Sequence, residues 1–144
     1  MELRDLFLQF IGQYHEVLRE VDETETGKSD LPDVTIHQFF YLQEISRNSG
    51  ITLTELTQKL GVSKPSATAA VGILVRLDFV TKTRSTLDQR RYYLVLSEKG
   101  EQIIRQKQRA YDVFVERMQD RLSPENLARV IEGFELMASC FPKP

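Results

Sequence analysis

Residues 52–76 read TLTELTQKLGVSKPSATAAVGILVR, and the reading of this stretch decides the fold. Thr52 and Glu55 stand three apart at the head of an apolar-periodic run. At that spacing a threonine hydroxyl and a glutamate carboxylate each take up an orphan backbone N–H of a helix start. Gly61 ends the run after two turns, Val62 fills the corner, and Ser63 supplies the next cap. Pro65 falls in the first turn of the following helix, where its missing N–H costs nothing. A short helix with Leu53, Leu56 and Leu60 inward, a tight glycine turn and a capped second helix make the layout of a helix-turn-helix.

Turning each residue of the second helix by about 100° sorts it into two faces. Ala67, Ala70, Val71, Ile73, Leu74 and Leu77 gather on one side. Lys64, Pro65, Thr68, Ala69, Gly72 and Arg76 gather on the other. A helix facing only water usually carries Glu and Lys on its polar face. This face is small and lightly charged, as suits a helix that enters a groove and presents a few donors to base edges.

After Asp78 the apolar period changes from helical to two. Phe79 to Arg84 and Arg91 to Leu96 read as strands rich in Val, Thr, Tyr and Phe, joined by Ser85 to Arg90 into a β-hairpin. The whole chain has a net charge of −2. Between Glu55 and Arg91, however, seven basic residues (Lys59, Lys64, Arg76, Lys82, Arg84, Arg90, Arg91) face three acidic ones (Glu55, Asp78, Asp88). A local basic segment can meet phosphates even in an acidic chain.

Further out, residues 3–21 place Leu3, Leu6, Phe7, Phe10, Ile11, Tyr14, Leu18 and Val21 on one stripe of a long helix. Asp22 to Asp33 read as a loop. A helix begins near Thr35 and stops at Asn48-Ser49-Gly50. Ser97-Glu98 opens a long helix to about Leu122, and Ser123-Pro124-Glu125 opens a last one. The 144 residues suit one domain, divided here as a binding unit over 35–97 with helices 1–21 and 98–141 outside it. The expected fold class is mainly α with a small β-hairpin wing, a winged helix-turn-helix flanked by long dimerisation helices.

Helix-turn-helix followed at once by a basic-tipped hairpin is a winged helix, and here the chain resembles the MarR family of regulators. Asp88-Gln89-Arg90-Arg91 is similar to the family's D-x-R-[RK] wing signature. The run Leu94 to Gly100 is similar to the strand and helix start that follow it, and Leu53 to Leu56 with Gly61 to Lys64 resembles its helix-turn-helix. Three departures stand out: no Pro or Gly at the wing, Thr57 where Ala is common, and Asp78-Phe79 where Gly is frequent.

The resemblance implies a homodimer placing two recognition helices in successive major grooves of double-stranded DNA, on a pseudo-palindromic operator with half-sites about 10 bp apart. It implies a repressor, released by a small phenolic or lipophilic effector. The candidate DNA-binding residues are Ser63, Lys64, Pro65, Ser66, Thr68, Ala69, Arg76, Lys82, Arg84, Asp88, Arg90 and Arg91. Lys64, Ser66 and Thr68 would meet bases or nearby phosphates, and Pro65 and Ala69 thymine methyls. Arg90 would enter an A·T-rich minor groove. Asp88 would orient a wing arginine as its ion-pair partner, while Lys82, Arg84 and Arg91 would serve phosphates. Tyr14, His15, His37, Phe40 and Tyr111 are the candidate effector contacts; plain aromatic core is the alternative. The surplus of apolar stripes on the outer helices fits an interface between two copies.

No metal and no cofactor are expected. His15 and His37 stand far apart in sequence, and no paired-ligand spacing occurs. Cys140 is the lone cysteine, at the end of the last helix beside Phe141 and Pro142, and no redox role is expected of it. No G-x-S-x-G or phosphate-binding glycine loop argues for an enzyme. Apolar runs too short for a bilayer and an N-terminus without a secretory pattern predict a cytoplasmic protein. The competing expectation is a winged-helix module that binds protein instead of DNA.

Overall fold

The computed structural model describes residues 1–25 and 32–141. Its elements run α1 (Leu3–Glu25), α2 (Ile36–Arg47), β1 (Ile51–Thr52), α3 (Leu53–Leu60), α4 (Lys64–Arg76), β2 (Val80–Arg84), β3 (Tyr92–Leu96), α5 (Glu98–Arg121) and α6 (Pro124–Ser139). They fall into two compact units. One is formed by the described residues of 1–29 and 106–144, the other by those of 30–105.

Helix starts follow the caps. Thr35 and Gln38 form a reciprocal capping box on α2, Thr52 and Glu55 form one on α3, and Ser63 and Ser123 cap α4 and α6. Gly61 closes α3 in the left-handed conformation, φ 64°, which glycine adopts without steric cost. The loop expected over Asp22–Asp33 needs correction at its start, because α1 continues through Glu25. No Gly or Pro interrupts Asp22 to Glu25, and Asp22 pairs with Lys107 at 3.7 Å. Residues 26–31 of that expected loop lie outside the described residues.

The hairpin is joined by a third strand that the sequence reading misses. β1 pairs antiparallel with β3 through Ile51 opposite Leu94, giving the order β1-β3-β2. β2 pairs with β3 from Val80 opposite Leu96 to Arg84 opposite Tyr92. The winged unit's core takes Phe39, Leu42, Ile45, Leu56, Ala67, Val71, Leu74, Phe79 and Leu94, all buried. Ile73, expected inward, is 37% exposed; α4 turns only the Ala67–Val71–Leu74 line fully into the core.

Burial is unequal between the units. Of the eighteen buried apolar residues among those described, only Val21, Ala110 and Val113 belong to the unit of α1, α6 and the second half of α5. Among the described residues α6 buries none of its side chains fully. At roughly 2 kcal/mol per buried large side chain, such a core is small against the entropy of ordering three helices.

Asp78 links α4 to β2 at φ 62°, the one non-glycine residue with positive φ among those described. Its carbonyl accepts the Ser97 hydroxyl, and that hydroxyl accepts the Gly100 N–H at 3.1 Å, so the turn is tied to the start of α5. The left-handed conformation costs an L-residue about 1 kcal/mol, somewhat less for Asp. The exposed Asp78–Lys99 pair, 3.6 Å apart, offsets little of this. Asp78→Gly is therefore expected to stabilise the protein by about 0.5 kcal/mol, raising its melting temperature by roughly 2 °C, and Asp78→Ala to lower it. Thermal melts of the two variants read the sign directly.

Candidate nucleic-acid interface

The exposed side of α4 carries Lys64, Pro65, Ser66, Thr68, Ala69 and Arg76, while Ala67, Val71 and Leu74 anchor the opposite side in the core. Ser63 Oγ accepts the Ser66 N–H at 3.2 Å and donates to Ser66 Oγ at 2.8 Å. Thr68 Oγ1 donates back to the Lys64 carbonyl at 2.8 Å. The Thr68 hydroxyl proton is thus committed, which leaves an acceptor lone pair and a methyl group to face a ligand. Its chemistry fits a base amino group or a thymine methyl.

The wing turn is built from side chains, which accounts for its lack of Gly and Pro. Ser85 is buried; its Oγ accepts the N–H groups of Leu87 and Asp88, each at 3.2 Å, and its own N–H donates to the Arg91 carbonyl at 2.9 Å. Asp88 Oδ1 accepts the Arg90 N–H at 3.0 Å, and Oδ2 lies 3.6 Å from Arg91 Nε. Asp88 therefore both folds the tip and orients Arg91, while the Arg90 side chain projects into solvent. The sequence reading passes over Ser85. Its signal was a serine three residues before an aspartate, the spacing of a local side-chain turn.

Charge pairing is uneven over the described residues: Arg91 of the wing is paired with Asp88, while Arg47, Lys59 and Arg129 outside this surface stand in no salt bridge. Arg4, Arg19, Lys99, Arg105 and Arg117 each have a carboxylate partner. Among the described residues none pairs with Lys64, Arg76, Lys82, Arg84 or Arg90. These cations stand on one winged unit, in which α4 packs against β2. Unpaired cations on a fixed frame attract a polyanion without first giving up an internal partner.

The candidate effector residues divide between the units. Tyr14, His15 and Tyr111 come together in one, with ring centroids 5.5 Å (Tyr14–His15) and 6.3 Å (Tyr14–Tyr111) apart. Burial and the hydrogen bond with Tyr111 hold the Tyr14 hydroxyl well above the ordinary tyrosine range. In the other unit His37 packs on Tyr41 at 5.1 Å and Phe40 lies 6.0 Å from Phe39. An open apolar groove of about 1090 Å³ runs along α1, α5 and α6, lined by Phe7, Phe10, Tyr14, Phe114, Phe134 and Met137 among others. Tyr14 lines this groove; His15, His37, Phe40 and Tyr111 do not. Among the described residues no helix is long and apolar enough to cross a membrane.

A sequence model of the MarR family matches residues 32–91, from just before α2 to the end of the wing turn. An HTH-type transcriptional regulator of Staphylococcus aureus is 29% identical over 66 residues, covering 46% of this chain and 45% of the relative. The matched part thus spans just under half the length of that relative. Streptococcus pneumoniae FabT, solved in complex with DNA, is similar at TM-score 0.72 and 22% identity over 96% of both chains. A Staphylococcus aureus MepR mutant is similar at TM-score 0.69 and 17% identity, over 99% of this chain and 97% of the other. At such identities the structural likeness speaks to the fold.

Proposed function

From the match of residues 32–91 to the MarR-family model, we propose that the chain is a DNA-binding transcriptional regulator of that family, working as a homodimer on a pseudo-palindromic operator. The observation that carries this reading is the combination on one compact unit of a small-residue helix face and a wing whose Lys82, Arg84 and Arg90 have no carboxylate partner among the described residues. The first five exposed positions of α4 read bases and nearby phosphates, and Arg90 enters the adjoining minor groove. Arg76, Lys82, Arg84 and Arg91 meet phosphates, which fix register.

The dimer forms through α1, α5 and α6. Their groove of about 1090 Å³ is open and lies at the upper end of small-ligand pockets. It suits the helices of a second copy better than a phenolic compound. Binding to the operator represses by excluding other proteins from the same DNA. Ring contacts among Tyr14, His15 and Tyr111 are the place to seek an effector that weakens the complex.

Selection of bound duplexes from a random pool tests the reading, followed by titrations over a salt series. The expected result is an inverted repeat with half-sites about 10 bp apart and affinity falling steeply with salt. Recovery of no preferred sequence, with binding indifferent to salt, overturns it. Within that experiment Arg90→Ala is expected to weaken operator binding by about tenfold or more. Its melting temperature should stay unchanged, because only the Arg90 backbone N–H is engaged in the wing turn.

A further inference from the structure

The face of the hairpin that carries Val80 and Leu94 into the core emerges into solvent toward the tip, and there it changes character. Register places Arg84 directly opposite Tyr92, with Lys82 diagonal to it on the same face. Lys82 Nζ lies 5.8 Å and Arg84 Cζ 5.6 Å from the centroid of the Tyr92 ring, so two like charges share one aromatic surface. Both distances are within cation–π reach. Tyr92 is 41% exposed, open enough for the cations to stay hydrated on their far sides.

We infer that Tyr92 is a positioning residue of the wing, whose ring holds the Lys82 ammonium and the Arg84 guanidinium as a prearranged pair for two phosphates of the bound duplex. The inference rests on the DNA-binding reading above. Long cationic side chains lose rotamer freedom when they dock, and that loss subtracts from affinity. Arg91 is restrained by Asp88. Lys82 and Arg84 have no carboxylate among the described residues to restrain them, and a carboxylate would cancel the charge that phosphate needs. An aromatic face restrains a cation and leaves its charge intact.

The test compares wild type with Tyr92→Phe, Tyr92→Leu, Lys82→Ala/Arg84→Ala, and the last pair combined with Tyr92→Leu. Full-length chains are titrated onto the selected duplex across a potassium chloride series. Side-chain proton shifts of Lys82 and Arg84 are recorded by NMR without DNA. Tyr92→Leu is expected to lose about three- to tenfold in affinity and to flatten the salt slope by about one. Tyr92→Phe should bind as wild type. In the Lys82→Ala/Arg84→Ala background the leucine change should cost nothing further. The upfield ring-current shifts of the two side chains should persist in Tyr92→Phe and vanish in Tyr92→Leu.

Wild-type affinity and salt slope in Tyr92→Leu would overturn the inference while leaving the regulator reading intact. An equal loss in the background lacking both cations would mark Tyr92 as merely structural. A wild-type chain that binds no duplex overturns the regulator reading and this role together. The ring-current shifts would still show whether the ring holds the cations.

Discussion

Gly100→Ala is expected to lower the melting temperature of the protein by roughly 10 °C, the loss of about 3 kcal/mol. In most helices this change is favourable by up to about 1 kcal/mol, since alanine is the better helix former. Here the first turn of α5 rests on the backbone of Phe79. A Cβ at position 100 would stand 2.1 Å from the Phe79 carbonyl oxygen, 3.0 Å from its carbon and 3.4 Å from Leu96 Cβ.

The obstacle is backbone, so no rotamer change relieves it. Nor can Phe79 retreat freely. Its N–H donates to the Leu74 carbonyl at 2.9 Å, its carbonyl accepts the Ser97 N–H at 3.0 Å, and its side chain is fully buried. Either α5 lifts off the sheet or the start of β2 shifts, and each breaks the tie through Ser97. Gly72→Ala is the internal control, because a Cβ at position 72 meets nothing within 4 Å. The same chemical change should therefore stabilise at 72 and destabilise at 100. Thermal and urea melts decide it; a Gly100→Ala protein that melts with wild type would show that α5 does not dock on Phe79 as described.

Gly100 also illustrates what local reading reaches. The capping pairs Thr52–Glu55 and Ser63–Pro65 could be read because each acts within one helical turn. The inward line of α4 was legible from its period. Gly100 was visible as part of the run from Leu94, but its reason lies twenty-one positions upstream at Phe79. β1 escaped because two residues carry no alternation, and Thr52 already served as a cap. The last turn of α1 escaped because Asp22 to Glu25 offers no apolar stripe; its pairing with α5, Asp22 to Lys107, joins distant segments. At the interface, types and positions of cations were readable in advance. Which of them lacked partners depended on the fold. The Tyr92 platform depends on strand register, where a slip of one residue would send the ring to the other face.

Phe7→Asp combined with Ile131→Asp is expected to convert the protein to a monomer and to reduce operator affinity by about 100-fold or more. Phe7 and Ile131 are 54% and 51% exposed in the single chain. A carboxylate at either position therefore stays hydrated there and costs the isolated fold little. Across an interface between two copies each charge would lie on a two-fold-related apolar surface, paired with nothing, and that desolvation is costly. Among the described residues the winged unit holds fifteen of the eighteen buried apolar side chains, a core of its own. Its hairpin and α4 should therefore remain folded in the variant, as hydrogen exchange would show.

Two readings then separate loss of pairing from loss of structure. Light scattering should give half the wild-type mass. The salt slope of the residual binding should fall to about half, because one copy brings one set of phosphate contacts where the dimer brings two. A variant that stays dimeric places the interface elsewhere than on α1 and α6. One that becomes monomeric yet keeps the full affinity and slope removes the need for two copies on the operator.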